Sequence, residues 1–104
     1  MTGEPKRPSN TIYMKILCNM VLIPSRNDEV EYFTVDSRGY PIPAKTGYSM
    51  KEATIIVGHR ERNNIMVTPE DRVFTGIFGK NGRLSSVGKE FEGKELTVII
   101  HVNE

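Results

Sequence analysis

The chain matches itself in three blocks that occur in the same order, and this internal repeat constrains the fold more than any other feature of the sequence. The matched blocks are KEATIIV at Lys51–Val57 against KELTVII at Lys94–Ile100, Phe33–Thr34 against Phe74–Thr75, and NMVLIP from Asn19 against NIMVTP from Asn64. The displacement of 43 residues in the first block also aligns Gly39 with Gly82. We therefore predict two related units, residues 19–57 and 64–100, within one chain.

Both units are expected to consist of short strands. Segments rich in β-branched and aromatic residues and bounded by polar or glycine turns indicate strands; they are KILCNMVLI, EVEYFTV, ATIIVGH, NIMVT, RVFTGIF and ELTVIIHV. SRG and KNG are turn signals, and only GYSMKE and SSVGKEFEGKE are expected to hold a helical turn. A unit of about 40 residues buries too little surface to be stable alone. The predicted fold is therefore all-β or nearly so, a small barrel or sandwich in which the two units pack as a pseudo-dimer.

A length of 104 residues corresponds to one domain. Residues 1–10 are polar and contain proline, so we expect a flexible arm there, followed by a β domain over residues 11–104. Alternation along the strands predicts a buried core, whose members are Ile16, Val21, Ile23, Phe33, Ile55, Val57, Val67, Phe74, Val98 and Ile100. The single cysteine, Cys18, lies in an apolar run and is expected to be buried or half-buried.

The sequence offers little for catalysis. It lacks the Cys/His spacing of a metal site, the glycine-rich phosphate loop and the nucleophile elbow, so we expect neither an enzyme nor a bound metal or cofactor. The longest mainly apolar stretch, residues 12–23, is interrupted by Lys15 and Asn19 and is shorter than the ~20 residues of a membrane-spanning helix. One cysteine cannot form an internal disulfide, and we therefore expect a cytoplasmic protein.

Charge is nearly balanced overall but unevenly distributed along the chain. There are 14 Lys and Arg residues against 13 Asp and Glu residues, a formal net charge of +1, which is not the composition of a general nucleic-acid binder. Residues 37–51 and 72–89, however, contain several basic residues and no acid, and these two acid-free segments occupy the same place in their units. Lysine and arginine in such segments can neutralise phosphates, and arginine can also read guanine edges.

The stretch FGKNGRLSSVGKEFEGKELTVII resembles the AbrB-type swapped-hairpin barrels, and most closely the short archaeal transposon-encoded AbrB-like proteins. VDSRGYPIPAK in the first unit is similar to the strand–turn–strand of these domains, with Pro43 and Lys45 near the expected Pro-Lys pair. Such families bind DNA as dimers through basic residues on a shared sheet. The resemblance therefore implies a viral or archaeal transcriptional regulator that binds double-stranded DNA, as a monomeric pseudo-dimer or as a homodimer. By residue match, the DNA-binding positions are Arg38, Lys45, Lys80 and Arg83.

A non-enzymatic protein-interaction module is the alternative interpretation. The near-neutral charge favours it, and so do the five methionines, which make adaptable contacts if some of them are exposed. A small barrel from a virus or mobile element can bind or inhibit a host protein without any readable motif, and a small structural protein belongs to the same class. One contiguous positive face would favour DNA, whereas scattered charge would favour a protein partner.

Overall fold

The computed structural model describes residues 11–58 and 64–101, and the arm predicted at residues 1–10 lies outside them. The described residues contain eight strands and one turn of 3-10 helix at Lys89–Phe91. The strands are β1 Thr11–Met14, β2 Met20–Leu22, β3 Asp28–Val35, β4 Pro41–Ile42, β5 Glu52–Val57, β6 Ile65–Val67, β7 Val73–Ile77 and β8 Glu95–His101. The all-β prediction is confirmed, and the helical turn falls within SSVGKEFEGKE.

Six strands form one antiparallel sheet that curls into a half-barrel, in the order β1-β7-β5-β8-β3-β4. The remaining strands, β2 and β6, pair as a small antiparallel sheet. In the centre of the large sheet the strands alternate between the units, because β7 and β8 belong to the second unit whereas β5 and β3 belong to the first. This interleaving covers strand edges that an isolated unit would expose.

The register of the central strands β5 and β8 is symmetric about one residue pair. Ile55 lies directly opposite Val98, which is its match in the other unit at a displacement of 43 residues. Ala53 lies opposite Ile100, two positions away from this pair on either strand. Antiparallel pairing of matched strands about a matched residue is the relation that a twofold axis produces.

The small sheet has the same symmetry of register. Val21 on β2 lies opposite Met66 on β6, its match in the block NMVLIP against NIMVTP, and Met20 lies opposite Val67. Both pairs of matched strands therefore meet at their own midpoints. One approximate twofold relation between the units describes the registers of both sheets.

The register also corrects one part of the sequence alignment. Tyr32 on β3 lies opposite Thr97, and Thr75 on β7 lies opposite Thr54. Because Thr54 and Thr97 match, Tyr32 matches Thr75, again at a displacement of 43 residues. The alignment of the two Phe-Thr pairs is therefore wrong by two residues. A slip of two leaves every side chain on its own face of the strand, which is why the apolar pattern did not reveal it.

Apolar side chains pack on both faces of the large sheet. The face that the acid-free segments cover, named the segment face, carries the larger cluster, made of Phe33, Val35, Ala53, Ile55, Val57, Phe74, Phe78, Leu84, Val87, Leu96, Val98 and Ile100. The opposite face, named the β2–β6 face, joins the two sheets through a second cluster, made of Ile16, Ile56, Ile65, Val67, Val73 and Ile99.

Eight of the ten predicted core residues are buried, but Val21 and Ile23 are 44% and 69% exposed. The prediction for these two residues is wrong because KILCNMVLI is not one strand. Within this stretch only Met20–Leu22 forms a strand, β2, and only one side of β2 packs, with Leu22 turned toward the core. Alternation then directs Val21 outward. Cys18 lies in the connection before β2 and is exposed, so the prediction that it is buried is also wrong.

Candidate nucleic-acid interface

The turns that follow β3 and β7 share one hydrogen-bond pattern. In the first turn Asp36 N donates to Tyr40 O at 2.9 Å, and in the second Gly79 N donates to Arg83 O at 2.8 Å. These donors and acceptors are matched pairs at a displacement of 43 residues. The predicted turns at SRG and KNG are therefore confirmed, and they are equivalent in the two units.

Each turn lies against the acid-free segment of the other unit. Val87 N donates to Gly39 O at 2.8 Å, and Thr46 N donates to Gly82 O at 3.1 Å; we name these contacts the first and the second crossing. Both turn glycines have positive φ, 89° and 78°, which favours glycine. A Cβ on Gly39 would lie 2.5 Å from the carbonyl carbon of Gly88, and a Cβ on Gly82 would overlap the carbonyl oxygen of Thr46. Both crossings therefore require glycine.

Side chains also join the two acid-free segments at the crossings. At the first crossing Ser86 Oγ donates to Gly39 O at 3.1 Å, and near the second Ser49 Oγ donates to Lys80 O at 3.0 Å. Leu84 of the second segment is buried in the cluster beneath. The two segments, which are distant in sequence, therefore form one continuous layer over the segment face.

All four predicted DNA-binding residues lie in this layer, and all four are exposed. Lys45 and Arg83 each adjoin a residue of the second crossing, and the main chain of Lys80 is held there by its bond from the first segment. Arg38 lies at the first crossing, with its guanidinium carbon 5.1 Å from the centre of the Tyr40 ring. Because β3 and β7 run in opposite directions, the structure groups three of the residues at one end of the sheet and places Arg38 at the other.

The two turns differ in charge. Asp36 Oδ1 accepts from Tyr40 N at 2.8 Å and from Arg38 N at 2.9 Å, and these bonds, led by the one from Tyr40, hold the pKa of Asp36 below its ordinary value. In the second turn the neutral Asn81 Oδ1 accepts from Arg83 N at 3.2 Å. Asp36 immediately precedes the first acid-free segment, so the count of acids within the segments missed it. The second crossing is therefore the more electropositive of the two.

A second constellation lies on the β2–β6 face. His101 Nδ1 is 3.3 Å from Asp28 Oδ1, and His101 Nε2 is 3.1 Å from Thr54 Oγ1. Thr54 and His101 line a groove of about 270 Å³, whose other walls include Ile12, Glu52, Thr75 and Ile77. A hydroxyl, an imidazole and a carboxylate in this order form the hydrogen-bond chain of nucleophilic catalysis. Sequence reasoning missed it, because only strand pairing brings these distant residues together.

The position of Thr54 favours a structural role for this series of hydrogen bonds. Thr54 lies inside β5, which pairs with β7 on one side and with β8 on the other, so the surrounding main-chain N–H groups are directed into ladders and not toward the groove. Stabilisation of an oxyanion requires donors directed at the reacting atom. Burial alone would raise the pKa of Asp28, but hydrogen bonds from Ser25 and His101 outweigh it and hold that pKa below its ordinary value. The hydrogen bonds from Asp28 through His101 to Thr54 therefore connect β3, β8 and β5.

Within residues 11–58 and 64–101, no group of three or more His, Cys, Asp and Glu side chains is arranged to hold a metal ion. The same part of the chain contains no helix of the length and apolarity needed to cross a membrane. No family model, no curated protein and no solved structure matches the chain. Its function is therefore inferred from the geometry of the site.

Proposed function

We propose that this protein binds double-stranded DNA through the layer formed by the two acid-free segments, as a small cytoplasmic AbrB-like regulator of transcription. The observation that supports the proposal is the pair of crossings, where two segments without an acid lie against each other. The exposed lysines and arginines of both segments thereby share one layer. Charges gathered in this way act on the phosphates of a duplex together, although the net charge of the whole chain is small.

The basic side chains have different roles in this proposal. Lys45 and Lys80 are flexible point charges and neutralise phosphates. Arg83 presents a planar guanidinium that can donate two hydrogen bonds to the acceptors of a guanine base. Arg38 lies over the Tyr40 ring, a cation–π arrangement that limits the guanidinium to few positions. Phosphate contacts fix the register of the protein on the duplex, and base contacts supply the sequence preference.

The approximate twofold relation between the units supports the same proposal. Duplex DNA has a local twofold symmetry that dimeric DNA-binding proteins match with two subunits. Here one chain supplies both equivalent turns, so one copy offers two related contacts to a site. Since only the first turn carries a carboxylate, Asp36, the two halves of the preferred site are expected to differ.

Binding of a fluorescently labelled duplex, followed by anisotropy, tests the proposal. The double variant Arg38→Ala/Arg83→Ala is expected to bind at least about tenfold more weakly, because each arginine–base contact contributes roughly 1–3 kcal/mol. Arg26→Ala removes an exposed arginine outside both segments and serves as the matched control. Equal affinity of the double variant and the parent, with both folded, would rule out the layer as the binding surface.

A protein-interaction role is the second candidate, and one observation favours it. Val21 and Met66 lie opposite each other on the small sheet and are 44% and 51% exposed, and Ile23 is 69% exposed. Neighbouring exposed apolar side chains often mark a protein contact. A pull-down with and without nuclease separates the candidates. A protein that is retained after nuclease treatment and lost from a Val21→Lys/Met66→Lys variant supports this role, whereas retention that requires nucleic acid supports DNA binding.

A further inference from the structure

A shallow pocket of about 410 Å³ is lined in part by the second acid-free segment. Its lining consists of Tyr13, Arg72, Phe74, Val87, Glu90 and Phe91. The buried Phe74 ring lies between two others, with the Tyr13 ring centre 5.6 Å away at 64° and the Phe91 ring centre 6.2 Å away at 78°. Tyr13 is 47% exposed, and much of its ring is therefore available to a ligand.

Two exposed side chains of opposite charge complete the pocket. Arg72 follows the loop that leads into β7, and its Nη1 donates to Glu70 O at 3.1 Å. This bond uses one of the five N–H groups of the guanidinium and restrains its position, which leaves further donors for a ligand. Glu90 belongs to the 3-10 turn and contributes a carboxylate. The pocket therefore combines aromatic rings, an anion-binding group and a hydrogen-bond acceptor.

The first unit lacks this arrangement at the matched positions. Glu31 and Tyr48 match Phe74 and Phe91 at a displacement of 43 residues, and there the Tyr48 hydroxyl donates to Glu31 Oε2 at 2.9 Å. Tyr13 comes from β1, which precedes both units and pairs with β7. The matched strand and ring positions thus hold a hydrogen-bonded polar pair in the first unit and two packed rings in the second, so the strand register does not dictate the rings of the pocket.

We propose that this pocket binds one unpaired nucleotide, with the base on the aromatic rings and its phosphate on Arg72. A planar base stacks on the Tyr13 ring, which is a common way of holding single-stranded nucleic acid. The Glu90 carboxylate accepts from N–H donors at the base edge, and guanine fits best because two of its donors are adjacent. An apolar amino-acid side chain would use the rings but neither charged group.

The inference goes beyond duplex binding and does not depend on it. Arg72 belongs to the second acid-free segment, but Tyr13 and Glu90 lie outside both segments, so variants of Tyr13 and Glu90 test the pocket alone. Nucleotide binding at the pocket and duplex binding at the crossings can therefore fail separately.

Isothermal titration of the full chain with guanosine monophosphate, guanosine, inosine monophosphate and inorganic phosphate tests the pocket. Tyr13→Ala is expected to weaken guanosine monophosphate binding about fivefold or more, the loss that follows from removing a stacking ring. Arg72→Ala is expected to abolish the advantage of guanosine monophosphate over guanosine. Glu90→Gln is expected to reduce the preference over inosine monophosphate, which lacks the exocyclic amino group. Arg26→Ala and Tyr48→Phe are the matched controls and should bind as the parent does.

Absence of measurable guanosine monophosphate binding by the parent would overturn the inference. So would Tyr13→Ala and Arg72→Ala variants that bind it as the parent does, or tight binding of inorganic phosphate alone that equals binding of the nucleotide. Duplex binding measured on the same variants separates the two proposals. Pocket variants that lose the nucleotide but retain the duplex support the pocket as an independent site, whereas a parent that binds the nucleotide and no duplex supports the pocket and contradicts the duplex proposal.

Discussion

In the first unit the Tyr48 hydroxyl donates to Glu31 at 2.9 Å, whereas the matched positions of the second unit hold Phe91 and Phe74, with ring centres 6.2 Å apart. In both units the ring at this position, Tyr48 or Phe91, packs against the core of the segment face. The strand residue beneath this ring differs between the units: it is Glu31 on β3 and Phe74 on β7. The fold therefore requires a covering ring at this position but not a particular partner for it.

The two crossings share a hydrogen bond from a side-chain hydroxyl to the carbonyl of the turn glycine. At the second crossing Thr46 Oγ1 donates to Gly82 O at 2.9 Å, and at the first Ser86 Oγ donates to Gly39 O at 3.1 Å. Both units thus combine a glycine turn with a hydroxyl from the segment of the other unit. Since these contacts are retained while the neighbouring charges differ, we infer that the crossings maintain the fold and that the differences reflect separate roles of the two halves.

The largest expected difference in stability is between alanine variants at the matched strand positions Phe74 and Glu31. Phe74→Ala removes a buried ring from the core and should lower the free energy of unfolding by about 3–5 kcal/mol. Glu31→Ala removes an exposed carboxylate with one hydrogen bond and should cost about 1 kcal/mol or less. Chemical denaturation measures both variants. Similar losses at the two positions would contradict the assignment of Phe74, but not Glu31, to the core.

Replacement of the turn glycines tests the crossings. Gly82→Ala is expected to lower the free energy of unfolding by about 3 kcal/mol, because positive φ and overlap with the Thr46 carbonyl act together. Gly39→Ala should behave in the same way. The control is Gly93→Ala, which has φ of 82° but no atom within 4 Å of its Cβ, and should cost about 1–2 kcal/mol. A Gly93 variant as unstable as the Gly82 variant would show that φ alone, and not the close approach, sets the cost.

The hydrogen bonds of Asp28 predict a pH dependence that is specific to one end of the sheet. The pKa of Asp28 is below its ordinary value in the folded protein, so its contribution to stability is present above the unfolded pKa of about 3.9 and is lost as the pH falls through the folded pKa. Asp28→Asn should therefore reduce stability by about 1 kcal/mol at neutral pH and by less in acid. His101 matches Gly58 in the other unit, so the hydrogen bond between Asp28 and His101 has no counterpart at that position. A stability difference between parent and variant that does not change with pH would contradict this account.

An effect of similar size is expected from replacing Tyr48 by phenylalanine, the residue at the matched position of the other unit. Burial, aided by the hydrogen bond to Glu31, raises the pKa of Tyr48 from 10.0 to about 12. The stability that its neutral hydroxyl contributes is present below the unfolded pKa and is lost as the pH rises toward the folded value. Tyr48→Phe should cost about 1 kcal/mol at neutral pH and should remove the most alkaline step of the tyrosine absorbance titration. Persistence of that step in the variant would assign it to another tyrosine.

Sequence reasoning reached the strands because β-branched runs and glycine turns are local signals. It failed where the signal is ambiguous or distant. Met20–Ile23 is an unbroken apolar run in which alternation does not distinguish the two faces, and the polar Asn19, two residues before Val21, was not used to fix the phase, so the face was assigned wrongly. The alignment of β3 with β7 slipped by two residues because that slip preserves the faces. The contact between Asp28 and His101 depends on strand pairing, which no local pattern encodes.

The exposure of the four candidate residues could be predicted from the sequence, whereas their role in DNA binding stays a prediction. Arg38, Lys45, Lys80 and Arg83 were selected from the distribution of acids along the chain, and all four are exposed in one layer. Their division between two crossings follows from the opposite directions of β3 and β7, which a linear sequence does not display. The three-ring pocket was missed because Tyr13 reaches it from β1, which precedes KILCNMVLI and was not among the predicted strands.

The salt dependence of duplex binding tests the central claim, that the crossings join two acid-free segments into one DNA-binding surface. Each phosphate neutralised contributes about −0.9 to the slope of log affinity against log salt, so Lys45 and Lys80, one from each segment, predict a slope of about −1.8 for the parent and near zero for Lys45→Ala/Lys80→Ala. A parent slope near the first value that falls toward the second in the double variant is the expected result. Equal slopes for the two proteins, or no duplex binding by the parent at low salt, would contradict the claim.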